Sequence, residues 1–231
     1  GYQTTGTLKD PSLFTSTSHI DLGIREKDIE DQGINCAQAI DFNLVKNMFP
    51  KRKDNLYKGK FGSHLIIGGS EKYPGAPILS SKSSNISGTG HTSISTSSVL
   101  LKEIINETPE VTNFKFDISK DPDGYLSRFT SISIGVGLGI NKESNKIIKD
   151  LMHYLSSTNN MHNIILDADA LNVLSGIENW WEKFKTPTLI TPHIGEYEKL
   201  FNIEKSDISL ESIKTISKNT NLNILLKGAN T

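Results

Sequence analysis

SISIGVGLGINKESNKIIKDLMHYLSSTNNMHNIILDADALNVL, residues 131–174, decides which kind of fold this chain can adopt. Ser131–Ile134 is a short apolar strand broken by Gly135-Val136-Gly137-Leu138-Gly139. Asn141 follows as a helix cap, because its side-chain oxygen can accept from the free amides of a first turn. Ile147, Ile148, Leu151, Met152 and Leu155 then fall on one helical face. Asn163–Leu166 is the next strand, and Asp167-Ala168-Asp169-Ala170-Leu171-Asn172 leads into another helix. Short strands with nearly continuous apolar residues, joined through a helix, belong to a parallel sheet buried on both faces.

The same alternation extends outward from this stretch. Upstream, Ser63–Ile67 is a strand closed by Gly68-Gly69-Ser70, Pro77–Ser87 and Ser98–Ile105 are helix candidates, and Thr92–Thr96 is a strand. Val111–Phe116 alternates weakly, and Asp121-Pro122-Asp123-Gly124 is a turn. Downstream, Pro187–Thr191 is a strand, Glu196–Phe201 a helix, Ser209–Asn219 an amphipathic helix and Leu222–Leu226 the last strand. The pattern predicts an α/β fold, a mostly parallel sheet with helices on both faces. Residues 1 to 45 show weak periodicity, with His19–Ile24 as the one apolar pulse, and are expected to be a linker or tail. Residues 46–231 form the expected domain. The start at Gly1 and the stop at Thr231, directly after a strand, lead us to expect a fragment whose fold continues.

Composition narrows the function. The chain has 231 residues, with 25 Lys and Arg against 26 Asp and Glu, a balance that offers nothing to nucleic acid or to an anionic membrane. Its apolar runs, such as Leu65–Ile67 and Ile164–Leu166, are far short of the ~20 residues that span a bilayer. One cysteine, Cys36, excludes an internal disulfide and fits a reducing compartment, so a cytoplasmic protein is expected.

In an open parallel sheet the ligand crevice lies beyond the carboxyl ends of the strands. The residues that follow each strand are therefore the candidate site. They are Gly68-Gly69-Ser70, with Gly75-Ala76-Pro77 soon after, then Gly135–Gly139, Asp167–Asp169, Thr191-Pro192-His193-Ile194-Gly195-Glu196 and Lys227-Gly228-Ala229-Asn230-Thr231. Ile140 stands where a dinucleotide fingerprint needs its last glycine, and no Lys-Ser/Thr follows Gly68-Gly69, so neither a Rossmann signature nor a P-loop is present. The glycines at 135, 137 and 139 serve either close ligand approach or tight turns. Asp167 and Asp169 are either helix caps or site carboxylates. Pro192 ends its strand by removing an amide donor and holding Thr191 extended, which presents His193 at the sheet edge. Glu196 sits in the first helical turn, where the macrodipole favours it. His64 and His153 read as structural and surface histidines, and Trp180-Trp181 as core cover.

Read together, these runs resemble a known family, the ADP/ATP-dependent NAD(P)H-hydrate dehydratases of the ribokinase-like group. The resemblance rests on Tyr57-Lys58-Gly59-Lys60-Phe61-Gly62, Ile66-Ile67-Gly68-Gly69-Ser70, Tyr73-Pro74-Gly75-Ala76-Pro77-Ile78-Leu79, Gly135–Gly139, Leu166–Asn172, Thr191–Glu196 and Leu226–Thr231, in order from about Lys58. It implies a three-layer ribokinase-like sandwich lacking its C-terminal part. The implied activity repairs hydrated NADH or NADPH: phosphoryl transfer from ADP or ATP to the ring hydroxyl, then elimination of phosphate. Carried over by position, Ala76, Gly137 or Gly139, and His193 would contact the hydrated dinucleotide. Lys227, Gly228, Ala229, Asn230 and Thr231 would line the phosphates of the adenine nucleotide. Glu196 would organise Mg²⁺ through water, with Asp169 near it. His19–Ile24 is similar to the end of the epimerase domain that precedes the dehydratase in bifunctional members, and a homo-oligomer is implied.

Two departures qualify the match. The family's catalytic base is an aspartate in a Gly-Thr-Gly-Asp turn after the Lys-Gly strand, so no residue of this chain takes that role and it is expected beyond Thr231. Ser80, Ser81, Ser83 and Ser84 stand where the family prefers alanine, and Gly88-Thr89-Gly90-His91 is more polar than usual, which leads us to expect looser packing there. These features leave two alternatives: an inactive nucleotide-binding module that supports an epimerase domain, or a small-molecule kinase of the same fold.

Overall fold

The computed structural model describes residues 40, 42–49, 57–117 and 126–228. Two compact units divide after Leu56. In the first, the described part is one short helix, α1 (Phe42–Met48), with no buried residue. His19–Ile24, Cys36 and the Asp121–Gly124 turn lie outside the described residues.

The second unit is built on seven parallel strands, β1 (Ser63–Ile67), β2 (His91–Ser95), β3 (Thr112–Asn113), β4 (Ser131–Ile134), β5 (Asn163–Leu166), β6 (Thr188–Ile190) and β7 (Asn223–Ile224). Their order is β3-β2-β1-β4-β5-β6-β7. Between them run α2 (Gly75–Ile86), α3 (Ser98–Glu107), α4 (Lys142–Ser157), α5 (Asp169–Leu174), α6 (Ile194–Phe201) and α7 (Leu210–Thr220). The predicted α/β class and parallel sheet are therefore observed. The last strand is shorter than expected, since Leu222–Leu226 pairs only at Asn223 and Ile224, and within the weakly alternating Val111–Phe116 a strand forms at Thr112 and Asn113.

Strand residues divide by parity, as the pleat requires. Leu65, Ile67, Ile132, Ile134, Ile164, Leu166 and Ile190 join one buried cluster with Ile148, Leu151 and Leu155 of α4 and Leu171 and Leu174 of α5. On the other face Ile66 and Ile94 pack with Leu100 and Ile104 of α3 and with Ile78 of α2. Asn141 caps α4 as predicted, accepting from the amides of Glu143 and Ser144, and Ser144 completes a capping box. Trp180 is buried and meets Phe184 edge-on at 5.9 Å between ring centres, so it does cover the core.

The serine-rich helix is not loose. Ser81 is fully buried and donates to the carbonyl of Pro77 at 2.8 Å. Ser84 lies 3.0 Å from Nδ1 of His64, 3.1 Å from Thr89 Oγ1 and 3.0 Å from Thr92 Oγ1. Nε2 of His64 in turn meets Ser133 Oγ on β4 at 2.9 Å. Polar residues that would disturb an alanine-type helix contact here complete a network across α2, β1, β2 and β4, and its members satisfy one another. Gly90 suits the same close fit, because a Cβ there would collide with the carbonyl of Lys58.

Tyr197 of α6 is fully buried and its hydroxyl has no partner among the described residues. Removing an unpaired buried hydroxyl while keeping the ring should be neutral to stabilising, so Tyr197→Phe should raise the unfolding free energy by up to about 1 kcal/mol in urea titration. A loss of stability of similar size would show that the hydroxyl has a partner.

Candidate active site

The strand order reverses direction between β1 and β4, which places the topological switch point at their carboxyl ends. A cavity of about 700 Å³ opens there, lined among others by Ser70, Thr96, Lys115, Gly139, Asn141 and Asp169. Its walls come from the loops that follow β1, β2 and β4, the position where an α/β sheet offers a crevice.

The glycines around this cavity have different uses. A Cβ at Gly135 would strike the carbonyl of Asp167, and one at Gly137 would lie 2.9 Å from Tyr73 Cβ and 3.1 Å from Ala76 Cβ. These two let protein approach protein. Gly139 differs, since a Cβ there would meet nothing nearer than Ser70 Oγ at 3.6 Å, and it lines the cavity. Its amide donates to Oδ2 of Asp169 at 2.7 Å. Ala76 lies against the Gly137 turn but does not line the cavity.

A second group of side chains stands at the ends of β5, β6 and β7. The chain beyond β7 forms a parallel bridge between His193 and Lys227, and the amide of Lys227 donates to Pro192 at 2.8 Å. His193 and Lys227 are thus backbone neighbours rather than groups facing each other across a gap. The Lys227 ammonium donates to Oδ1 of Asp167 at 2.8 Å, with Oε2 of Glu196 at 3.8 Å. Glu196 is buried and also accepts from the amide of His193 at 2.8 Å. Nδ1 of His193 accepts from the amide of Glu196 at 3.2 Å, a capping box that starts α6. Since Nδ1 is an acceptor, the neutral ring carries its proton on Nε2, which lies 3.6 Å from Oε1 of Glu196. The His193 side chain remains 60% exposed, so this outer edge is open to a ligand.

Asp167 and Asp169 cap no helix. The N-cap of α5 is Ala168, without a side-chain cap, and the two carboxylates instead bind Lys227 and Gly139. Sequence reasoning missed the first partnership because sixty residues separate the pair. Of the predicted phosphate-lining residues, Lys227 and Gly228 are described, whereas Ala229, Asn230 and Thr231 lie outside the described residues. Among the described residues no group of three His, Cys, Asp or Glu side chains forms a metal cage.

Ala168 joins the two groups and is held at φ 48°, ψ −116°, a conformation unusual for a residue with a Cβ. Strain of this kind costs of order 1–3 kcal/mol, against roughly 0.5–1 kcal/mol for the added freedom of glycine. Ala168→Gly should therefore raise the unfolding free energy by about 1 kcal/mol, read from denaturant midpoints; a lower midpoint would show that the turn is unstrained.

Comparison with known proteins gives the family. The NAD(P)H-hydrate dehydratase family model matches residues 64–231. The chain belongs to the NAD(P)H-hydrate dehydratase family. It is 32% identical over 200 residues to the ADP-dependent (S)-NAD(P)H-hydrate dehydratase of Nitrosopumilus maritimus, covering 80% of this chain and 66% of that protein. It is 27% identical over 234 residues to a bifunctional NAD(P)H-hydrate repair enzyme of Dictyoglomus turgidum, covering 90% of this chain and 42% of that protein. The Bacillus subtilis ADP/ATP-dependent NAD(P)H-hydrate dehydratase co-crystallised with ATP/Mg²⁺ superposes with a TM-score of 0.65 at 25% identity, covering 80% of this chain and 65% of that one. The dehydratase fold is therefore the ribokinase-like one expected. The chain spans about half the length of the curated relatives it matches.

Proposed function

We propose that this chain forms the substrate-binding and part of the phosphate-binding surface of an ADP- or ATP-dependent dehydratase that returns hydrated NADH or NADPH to its parent. The observation that carries the reading is the joining of two groups at one sheet edge. The cavity at the β1/β4 switch point adjoins, through Asp169 and the Asp167–Ala168 turn, the Lys227 ammonium at the end of β7. Phosphoryl transfer asks a protein mainly for positioning and charge neutralisation. Lys227 supplies a fixed positive charge, and Gly139 leaves room for a ligand beside its turn. The exposed edge of His193 offers an Nε2–H donor to a substrate oxygen.

Mg²⁺, where it arrives on the nucleotide phosphates, neutralises their charge and usually keeps several waters. The donor set fits an ion held in that outer fashion. Glu196 and Asp167 already accept from Lys227 or backbone amides, which leaves them to reach such an ion through water. The protein is further proposed to be cytoplasmic and homo-oligomeric, with residues 1–45 a linker from, or the tail of, an epimerase domain. No helix among the described residues is long and apolar enough to cross a membrane.

Incubating the full-length protein with hydrated NADH or NADPH, Mg²⁺ and either ADP or ATP should restore the absorbance of the reduced nicotinamide. Tight nucleotide binding without that recovery would overturn the dehydratase reading and leave a binding module.

A further inference from the structure

We propose that Asp167 is a positioning residue for Lys227, holding its ammonium where it meets the phosphates of the adenine nucleotide. The inference rests on the preceding reading of Lys227 and goes beyond it by naming what fixes that charge. Oδ1 of Asp167 accepts from two donors, the amide of Ala168 and Nζ of Lys227, each at 2.8 Å. The first bond ties the carboxylate to its own turn, so its orientation is set before the lysine arrives.

That turn is itself clamped. The Asp167 carbonyl accepts from the amide of Ala170 at 3.1 Å, and Gly135 packs so closely on this carbonyl that any side chain there would collide with it. Ala168 keeps its uncommon positive φ inside this clamp. Backbone in sparsely populated conformations persists where surroundings over-determine it, and such places cluster at functional sites. Lys227 is fixed at its other end by the bridge to His193. Its long flexible stem is therefore pinned at both ends, by backbone pairing and by a carboxylate. An ammonium has three donors; Asp167 takes one and Glu196 attracts a second, which leaves one for a ligand oxygen. The ion pair remains partly open, with side-chain exposures of 40% for Lys227 and 30% for Asp167, so a phosphate can reach it.

The test uses the full-length protein with Asp167→Asn, Asp167→Ala, Lys227→Met and the Asp167→Ala/Lys227→Met double variant. ADP binding is measured by calorimetry, KM separately for ADP and for hydrated NADH, and melting temperature without ligand. Coupled groups in contact typically interact strongly enough to change affinity by roughly tenfold. Asp167→Ala should weaken ADP binding and raise its KM about tenfold, with KM for the hydrate unchanged. Asp167→Asn, which can keep the Ala168 bond but not the charge, should fall between it and the native protein, and it carries the test if the alanine variant does not fold. The double variant should bind ADP no worse than Lys227→Met. Native-like ADP binding by both Asp167 variants, with Lys227→Met impaired, would overturn the positioning role and leave the reading of Lys227 intact. Parallel increases in both KM values with a lower melting temperature would overturn it in favour of a structural role. Native-like binding by Lys227→Met would instead refute the phosphate-binding reading.

Discussion

Lys227→Met should lower kcat/KM for hydrated NADH by about 10²–10³-fold, the usual effect of removing one preorganised charge-stabilising donor. Lys227 stands at the joined strand ends, bonded to Asp167 at 2.8 Å and near Glu196 at 3.8 Å. Its loss removes positive charge from the proposed phosphate site and takes away the ammonium 3.8 Å from the buried Glu196. Both changes make the region more negative, which opposes an approaching polyphosphate. Lys227→Arg should recover only part of the loss, because a planar guanidinium does not replace a compact point charge held between two carboxylates. Steady-state kinetics with saturating nucleotide separates the effects. A fall in kcat locates the loss in the transition state, whereas a rise in KM alone locates it in ground-state binding. Unchanged kcat/KM in Lys227→Met would remove the lysine from the mechanism.

How much of this was legible in the sequence depends on how far each signal reaches along the chain. Local signals were sound. The apolar run Leu65–Ile67, the Asn141 cap and the α4 stripe of Ile148, Leu151 and Leu155 each depend on residues within a few positions, and all are observed. At the sheet edges the reading was less sharp: Thr112 and Asn113 are exposed and pair on one side only, while Val111 and Phe114 beside them are buried in the core. Near the candidate site, the sequence indicated which strand ends carry polar residues but not the partnerships between them. Asp167 followed by a helix has the pattern of a cap until β7 brings Lys227 beside it. Gly135 and Gly137 have the pattern of ligand-facing glycines until the chains from Asp167 and Tyr73 are seen to fill that space. The serines of α2 suggested weak packing for the same reason, since their partners His64, Thr92 and Ser133 lie on three separate strands.

That network makes the second large prediction, a fold that weakens in mild acid through His64. Burial pulls the His64 imidazole from 6.5 down to about 4. Both ring nitrogens already meet serine hydroxyls, and no carboxylate among the described residues is bonded to the ring to stabilise a positive charge. The unfolded chain takes up a proton on this ring as the pH falls through about 6.5, whereas the native protein resists until about 4. Between those values the unfolded state binds more protons, so stability must fall as pH falls. Above 6.5 the contribution is complete; at pH 4.5 roughly 2–3 kcal/mol of it should be gone, at about 1.4 kcal/mol for each pH unit of the difference. Other groups titrate in the same range, so the diagnostic quantity is a difference between proteins. His64→Gln can keep hydrogen bonds to Ser84 and Ser133 but cannot take up a proton at these pH values. Urea unfolding at pH 7 and pH 4.5 should show the native protein losing roughly 2–3 kcal/mol more than this variant over the interval. Equal losses would mean that the imidazole is protonated without penalty, and that the serine network accommodates charge as readily as water does.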